Sequence, residues 1–354
     1  MVNSNRVVIN KNFLKKYLFE NEEISKSLSR FIDNSIKARK DITTKENPCK
    51  ITIRTFEDLI VVGDNSGGIN SNLSGKDILR IGDYDGYEIS GLGMKKSAFS
   101  LGNKLDIISN KKRNSRKFTV DFNSKDDELS FQEENIEFSE SKLEGTNIFI
   151  SDLRRKTKKE MLEENIIIYK LGRIYSKFID KGEVIILVNG TEVKAKNIIA
   201  KKICTRKILN KYVVDLYKGD KKDISGIDLF INDYMIYDRE KSKKEVKWNL
   251  LNEAKHTYTD CIVEVTYHGE NPKFNEEKEL LFTEVIKFIK ENKIYFQSKN
   301  ITIQYEMPIE VVEELKEYYN ENTAKAIGIK AFNKLLEDYK NEQKLVSLKK
   351  VWTS

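Results

Sequence analysis

The sequence predicts an α+β fold, a sandwich in which helices cover one face of a mixed sheet. Three observations predict it. Apolar residues recur at helical spacing between Asn21 and Lys40. Two alternating, β-branched segments follow, CKITIRTFE and DLIVVGD, and read as a hairpin. A glycine loop, a polar stretch and a second glycine loop then lead into another helical stripe and further strands.

Taken in order, Ile24, Leu28, Phe31, Ile32 and Ile36 mark one face of the first helix. Asn21 with Glu22 and Glu23 suits its N-terminus, where a cap and negative charge complement the dipole. Residues 70–90 are polar and glycine-dotted, and are expected to be mobile. GLGMKKSAFSLG (91–102) reads as glycine loop into helix, and KLDIISNKK, KFTVDFN and TNIFISDL read as strands. RRKTKKEMLEE is a charged connection and the best place for a domain boundary. Beyond it come a helix in IIIYKLGRIYSKFI, a hairpin with an Asn-Gly turn in VIILVNGTEV, strands in GIDLFINDYMIY and CIVEVTYHG, and a helix in NEEKELLFTEVIKFIKEN. From MPIEVVEELKEYY onward the chain reads as helices with charged faces. The expected domains are 1–158, 159–300 and a helical tail, 301–354.

Composition narrows the function. A chain of 354 residues fits about two domains, or two and a tail. With 39% hydrophobic and 34% charged residues it fits a soluble globular protein. No run approaches the roughly 18 apolar residues a membrane helix needs. The first residues lack a signal-peptide pattern, so a cytoplasmic location without membrane partners is expected. Three cysteines without metal-ligand spacing predict free thiols, and two histidines leave little material for histidine catalysis or zinc. A net charge of +7 permits contact with nucleic acid without demanding it.

Three short elements carry chemistry. Asn34 offers a hard amide oxygen from a helix, suited to Mg²⁺ shared with phosphates, or equally to a helix-end cap. In VVGDNSGGIN, Asp64 ends a strand, and Gly67 and Gly68 let the backbone turn close to a ligand. That carboxylate can accept a hydrogen bond from an adenine amino group, or simply belong to an ordinary turn. In ISGLGMKKSAFSLG, glycines 91 and 93 open a helix whose free N–H groups and Lys95 and Lys96 favour phosphate; the alternative is a flexible linker.

In their order and spacing, RFIDNS, DNSGG, GLGMKKSA and EGT resemble the motifs of the GHKL ATPase superfamily: gyrase B, the ninety-kilodalton heat-shock chaperone, histidine kinases and MutL. The lid wording is most similar to the MORC and MutL-like branch. The resemblance covers residues 1–155, and more loosely a transducer-like region beyond. It implies a GHKL (Bergerat) α/β sandwich followed by a transducer-like α/β domain and a helical C-terminal tail. It implies ATP and Mg²⁺ as ligands, with Asn34 on the metal and Asp64 on the adenine amino group, supported by Thr146. Ala38, Gly68 and Ile69 would border the base. Gly91, Leu92, Gly93 and Met94 would wrap the phosphates, Lys95 would add charge, and Lys278 would reach the γ-phosphate.

Two positions depart from the family pattern. Ser66 replaces a glycine of D-x-G-x-G, where adjustment rather than loss is expected. Arg30 stands where the family's general base, a glutamate, is expected. Positions 30 and 34 share a helix face. Arginine stays protonated and cannot be a general base, though its planar fork can grip phosphate. It can equally fold back onto an acidic side chain. Glu22, Glu23 and Asp33 are nearby acids, but Asp33 should point about 100° off the face.

The resemblance therefore implies a nucleotide-dependent conformational switch with weak or absent hydrolysis. The lid (about 70–95) would close on ATP, the chain would form a homodimer, and the partner would be DNA or a neighbouring effector protein in a DNA-related or defence process. A slow MORC/MutL-type ATPase acting on DNA is the alternative. A DNA-binding structural protein that has lost nucleotide is another. A kinase is disfavoured, because both histidines lie far downstream. The basic runs KKRNSRK, RRKTKK and KSKK could touch a phosphate backbone or be solvated loops.

Overall fold

The computed structural model describes residues 3–10, 22–70, 72–73, 92–112, 114–123, 128–137, 144–220, 225–251, 257–269, 274–296 and 309–320, with 323, 326–331, 333–334 and 337–338. Asn21, Gly91, most of the segment expected to be mobile and much of the tail lie outside these residues. The chain divides into two compact units, Met1–Gln297 and Ser298–Ser354.

The first unit is a mixed α+β fold with two open sheets. The nine-stranded sheet runs β1 (Asn3–Asn10), β6 (Glu128–Ile136), β5 (Asn114–Asp121), β4 (Gly102–Lys111), β7 (Gly145–Leu153), β3 (Leu59–Asp64), β2 (Cys49–Phe56), β8 (Val184–Val188), β9 (Thr191–Glu192). Its pairs are antiparallel except β2 with β8, where Cys49–Ile53 lie beside Val184–Val188. Hydrogen bonding thus carries this sheet past the charged segment after Leu153. The expected Asn-Gly turn joins β8 to β9, with Asn189 at φ +47° and Gly190 at +87°, the left-handed pair that a tight hairpin requires.

Helix α1 (Ile24–Arg39) lays its apolar stripe on this sheet. Leu28 and Ile32 are fully buried against Ile51, Ile53 and Ile60. Burying each such side chain contributes about 1.5–3 kcal/mol. The helix begins at Ile24, the first residue of the apolar stripe and two residues later than a cap at Asn21 would set, and its cap is Glu23 without a side-chain bond. The first orphan N–H is met instead from a distance: Ile24 N donates to Glu160 Oε2 at 2.7 Å. Glu160 belongs to α3 (Arg155–Met161), so the charged segment is itself helical. α2 (Leu92–Leu101) packs beside α1, and α4 (Glu164–Ile174) with α5 (Ser176–Asp180) follow.

The five-stranded sheet runs β10 (Lys201–Ile208), β11 (Tyr212–Lys218), β14 (Cys261–Tyr267), β12 (Gly226–Ile231), β13 (Tyr234–Glu240), with β12 and β14 parallel. The short α6 (Lys243–Val246) precedes α7 (Phe274–Glu291), whose Leu281, Phe282 and Val285 fill this sheet's core. The second unit contains α8 (Ile309–Tyr319), charged on its exposed faces, and a further helical stretch in which Ile327 is buried. All three cysteines are free, as expected. Among the described residues no helix is long and apolar enough to cross a membrane.

Candidate functional site

The site forms where the end of β3 meets α1. Asp64 is the last residue of β3, and its carboxylate gathers four donors. Thr146 N and Ser66 N each donate to Oδ1 at 2.9 Å, and Ser66 Oγ donates at 2.5 Å. Ser35 Oγ, on α1, donates to Oδ2 at 2.6 Å. An ionised carboxylate has about four acceptor positions, two on each oxygen. Three donors crowd Oδ1 and one reaches Oδ2, so among the described residues Oδ2 is the less occupied oxygen.

Ser66 thus does with its hydroxyl and amide what fixes the loop after the strand. Its φ is not left-handed, so a side chain is tolerated at this position of the loop. Gly68 cannot be replaced so easily. It sits at φ +70°, and a Cβ there would lie 2.3 Å from Asn110 O. Ile69 N donates to Ser109 Oγ at 2.7 Å, pinning the loop to β4. Arg39 closes the other side, donating to Asn65 O at 2.6 Å and to Asn47 Oδ1.

Ser35 is flanked on α1 by the predicted residues. Asn34 and Ala38 are exposed, one turn apart, and the Asn34 side chain makes no hydrogen bond among the described residues. Arg30, a turn earlier, lies across the start of α2: a Cβ on Gly93 would sit 3.6 Å from its Nη1. Its Nη2 donates to Glu22 Oε1 at 3.0 Å, so the fold-back onto an acid is the arrangement observed. Asp33 points elsewhere, as the 100° offset requires. Its Oδ1 lies 2.7 Å from the hydroxyl of the buried Tyr175.

On α2, Met94 is half-buried against the core. Lys95 is only 5% exposed, and burial lowers its pKa to about 8. It is therefore an enclosed cation and not the open point charge its place in the first turn suggests. Leu92 begins the helix. Lys278 is not brought to this cluster. It pairs with Glu245 and lies 5.7 Å from the Tyr237 ring, within the layer of the second sheet. The structure thus joins Arg30, Asn34, Ala38, Asp64, Gly68, Ile69, Thr146 and the start of α2, and leaves Lys278 elsewhere.

A chain of polar contacts leaves the site through α4 and α5. The Tyr175 hydroxyl is shared between Asp33 and Ser29 O on α1, both at 2.7 Å. Two residues earlier, Arg173 donates to Asp228 at 2.9 Å and to Asp238 at 2.7 Å in the second sheet. Arg239, held at φ +51°, adds its own guanidinium to Asp228 at 2.8 Å. Lys177 pairs with Glu264 at 2.6 Å.

Two of the basic runs, 111–117 and 154–159, are partly engaged within the chain. Arg154 Nε donates to Phe99 O at 2.7 Å, Lys158 meets Asp58 at 2.8 Å, and Arg116 meets Glu133 at 3.3 Å. Among the described residues no group of three or more His, Cys, Asp or Glu side chains is placed to hold a metal ion.

Sequence reasoning missed Ser35, Ser109, Arg39 and Tyr175. Ser35 had a signal, since it is neighbour to Asn34 and faces inward from α1. Tyr175 had none, because its partner Asp33 is 142 residues away in sequence.

In comparisons with known proteins, the sequence matches no family model and no curated protein.

Proposed function

We propose that this chain is a Mg²⁺–ATP-binding module of the GHKL (Bergerat) type, acting as a nucleotide-dependent conformational and dimerisation switch with weak or absent hydrolysis. The observation that carries it is the Asp64 carboxylate, fixed by Thr146, Ser66 and Ser35 with Oδ2 the less occupied oxygen. An exocyclic amino group is the donor such an oxygen suits. Ala38, one turn after Ser35 on α1, and Ile69, in the loop after β3, would serve as apolar walls for a base.

Asn34 fits the metal that the reading requires. A single exposed amide is not a metal site of its own, but Mg²⁺ commonly takes one or two protein oxygens and completes its shell with phosphate and water. That ion would neutralise phosphate charge. The first turn of α2 supplies N–H groups for the phosphates, and Arg30 lies against it. None of these groups is a base for water. Arg30 is a permanent cation, and Asp33 is occupied by Tyr175. Losing general-base assistance typically costs about 10²–10⁴-fold in rate.

The switch reading is supported by the link through Tyr175 and Arg173, which ties α1 to the second sheet by buried polar bonds. The DNA-related or defence setting rests on the sequence resemblance alone. Calorimetric titration with Mg²⁺–ATP, with a turnover assay of the wild type and Arg30→Glu, tests the reading. Binding with little turnover, and more turnover in Arg30→Glu, supports it. Robust wild-type turnover establishes the slow ATPase instead. Absence of binding, with salt-sensitive DNA binding, favours the structural DNA-binding protein.

A further inference from the structure

The contact that the nucleotide reading leaves unused is the one between Arg30 and Glu22. Glu22 lies just before α1, and its side chain is 4% exposed. It is held on every side. Its Oε1 meets Arg30 Nη2 at 3.0 Å and Lys26 Nζ at 3.5 Å. Ser27 Oγ donates to Oε2 at 3.4 Å and lies 2.9 Å from Ser100 Oγ on α2. Lys156 Nζ donates to the Glu22 carbonyl at 3.1 Å.

A carboxylate and a phosphate present the same thing to a guanidinium: anionic oxygens spaced to accept two parallel N–H bonds. Glu22 thus fills the role for Arg30 that a ligand phosphate would fill. Gly93 leaves room for the exchange on its own side, because the guanidinium passes the first turn of α2 at a position without a side chain, where a Cβ would lie 3.6 Å from Nη1. Lys26 makes it electrostatically open, because Glu22 keeps a cation at 3.5 Å when Arg30 turns away.

We propose that Glu22 is a positioning residue that competes with the ligand's phosphate for Arg30. Phosphate arriving at the start of α2 takes Arg30 from Glu22, and the Glu22 pairing given up subtracts from the measured affinity. Weakly charged ligands leave the Glu22 pair intact, and a triphosphate displaces it. The inference rests on the nucleotide reading only in taking the start of α2 as the phosphate end.

The test uses the full chain and two probes, inorganic tripolyphosphate and adenosine, with calorimetry on the wild type, Glu22→Gln, Arg30→Gln and the double variant. Glu22→Gln is expected to bind tripolyphosphate about tenfold more tightly, since a competing state is removed. Adenosine binding stays unchanged, and the gain vanishes in the double variant. Equal or weaker tripolyphosphate binding by folded Glu22→Gln overturns the proposal, as does a gain that survives removal of Arg30. If circular dichroism shows that Glu22→Gln does not fold, Glu22→Asp serves. It keeps the charge but shortens the reach, and a smaller gain is required of it. Should adenosine bind no variant while tripolyphosphate responds as expected, the base pocket is refuted and the competition stands. Should neither probe bind, both are refuted.

Discussion

Thr146 and Asp64 are 82 residues apart in the chain, and the Thr146 N–H donates to Asp64 Oδ1 at 2.9 Å. This bond, with those from Ser35 and Ser66, makes one carboxylate the meeting point of α1, β3 and β7. Asp64→Asn turns one oxygen into a donor facing other donors. It is expected to destabilise the fold by about 1–3 kcal/mol, read as a lower urea midpoint with an unchanged slope.

Gly145 is the position most intolerant of a side chain here. A Cβ there would sit 2.0 Å from Asp64 O, backbone that cannot swing aside. Gly145→Ala is expected to cost at least about 3 kcal/mol. Gly67 at φ +84° has open space around it, so Gly67→Ala meets only backbone strain, about 1–2 kcal/mol. Thermal melts of the two variants rank them, and the reverse order would refute the close approach of Gly145 to Asp64.

Lys95 predicts a pH dependence. Its pKa falls from 10.5 to about 8 on burial, so between these values the folded state holds fewer protons than the unfolded. Stability from this group therefore rises with pH across that window, by up to about 1.4 kcal/mol per unit, and the penalty is constant below it. Lys95→Met should remove the slope and stabilise the protein at pH 7, as denaturation at a series of pH values would show. Phosphate near α2 favours the charged form, so Mg²⁺–ATP binding at pH 8.5 should take up a proton in the wild type and not in Lys95→Met.

The link to the second sheet can be broken at either end. Asp228, 1% exposed, faces the guanidinium groups of both Arg173 and Arg239. Asp228→Ala leaves those charges without their carboxylate and is expected to cost about 3–5 kcal/mol. Tyr175→Phe removes one shared hydrogen bond and should cost about 1 kcal/mol. Hydrogen exchange of β12 and β14 on adding Mg²⁺–ATP should change in the wild type and much less in Tyr175→Phe. An equal response in both would exclude Tyr175 as the coupling residue.

The elements that position the site were legible because each carries a clear period. The stripe Ile24, Leu28, Phe31, Ile32 and Ile36 can only be one face of a helix, and β2 and β3 alternate. Strands β6 and β10 were not legible. ELSFQEENI is mostly polar and half of KKICTRKI is charged, and their pairing with β5 and β11 outweighs a weak local preference. β11 carried a readable alternation, with Tyr212, Val214 and Leu216 buried. α3 reads as a linker because only Thr157 on it is buried, and its capping service to Ile24 comes from tertiary structure. Asp64 and Thr146 could be paired through the sequence resemblance. The partner of Arg30 could not, since an arginine's reach admits several acids.

The central claim is that Asp64 reads an adenine amino group. Guanine carries a carbonyl at the corresponding ring position, which would set oxygen against the carboxylate. The most direct measurement is therefore the ratio of Mg²⁺–ATP to Mg²⁺–GTP affinity by calorimetry. The wild type should favour ATP by about 10²-fold or more, because a partly buried acceptor left facing an acceptor in the complex is strongly penalised, and Asp64→Asn should collapse that preference. Equal affinity for the two nucleotides, or a preference unchanged in folded Asp64→Asn, would contradict the account.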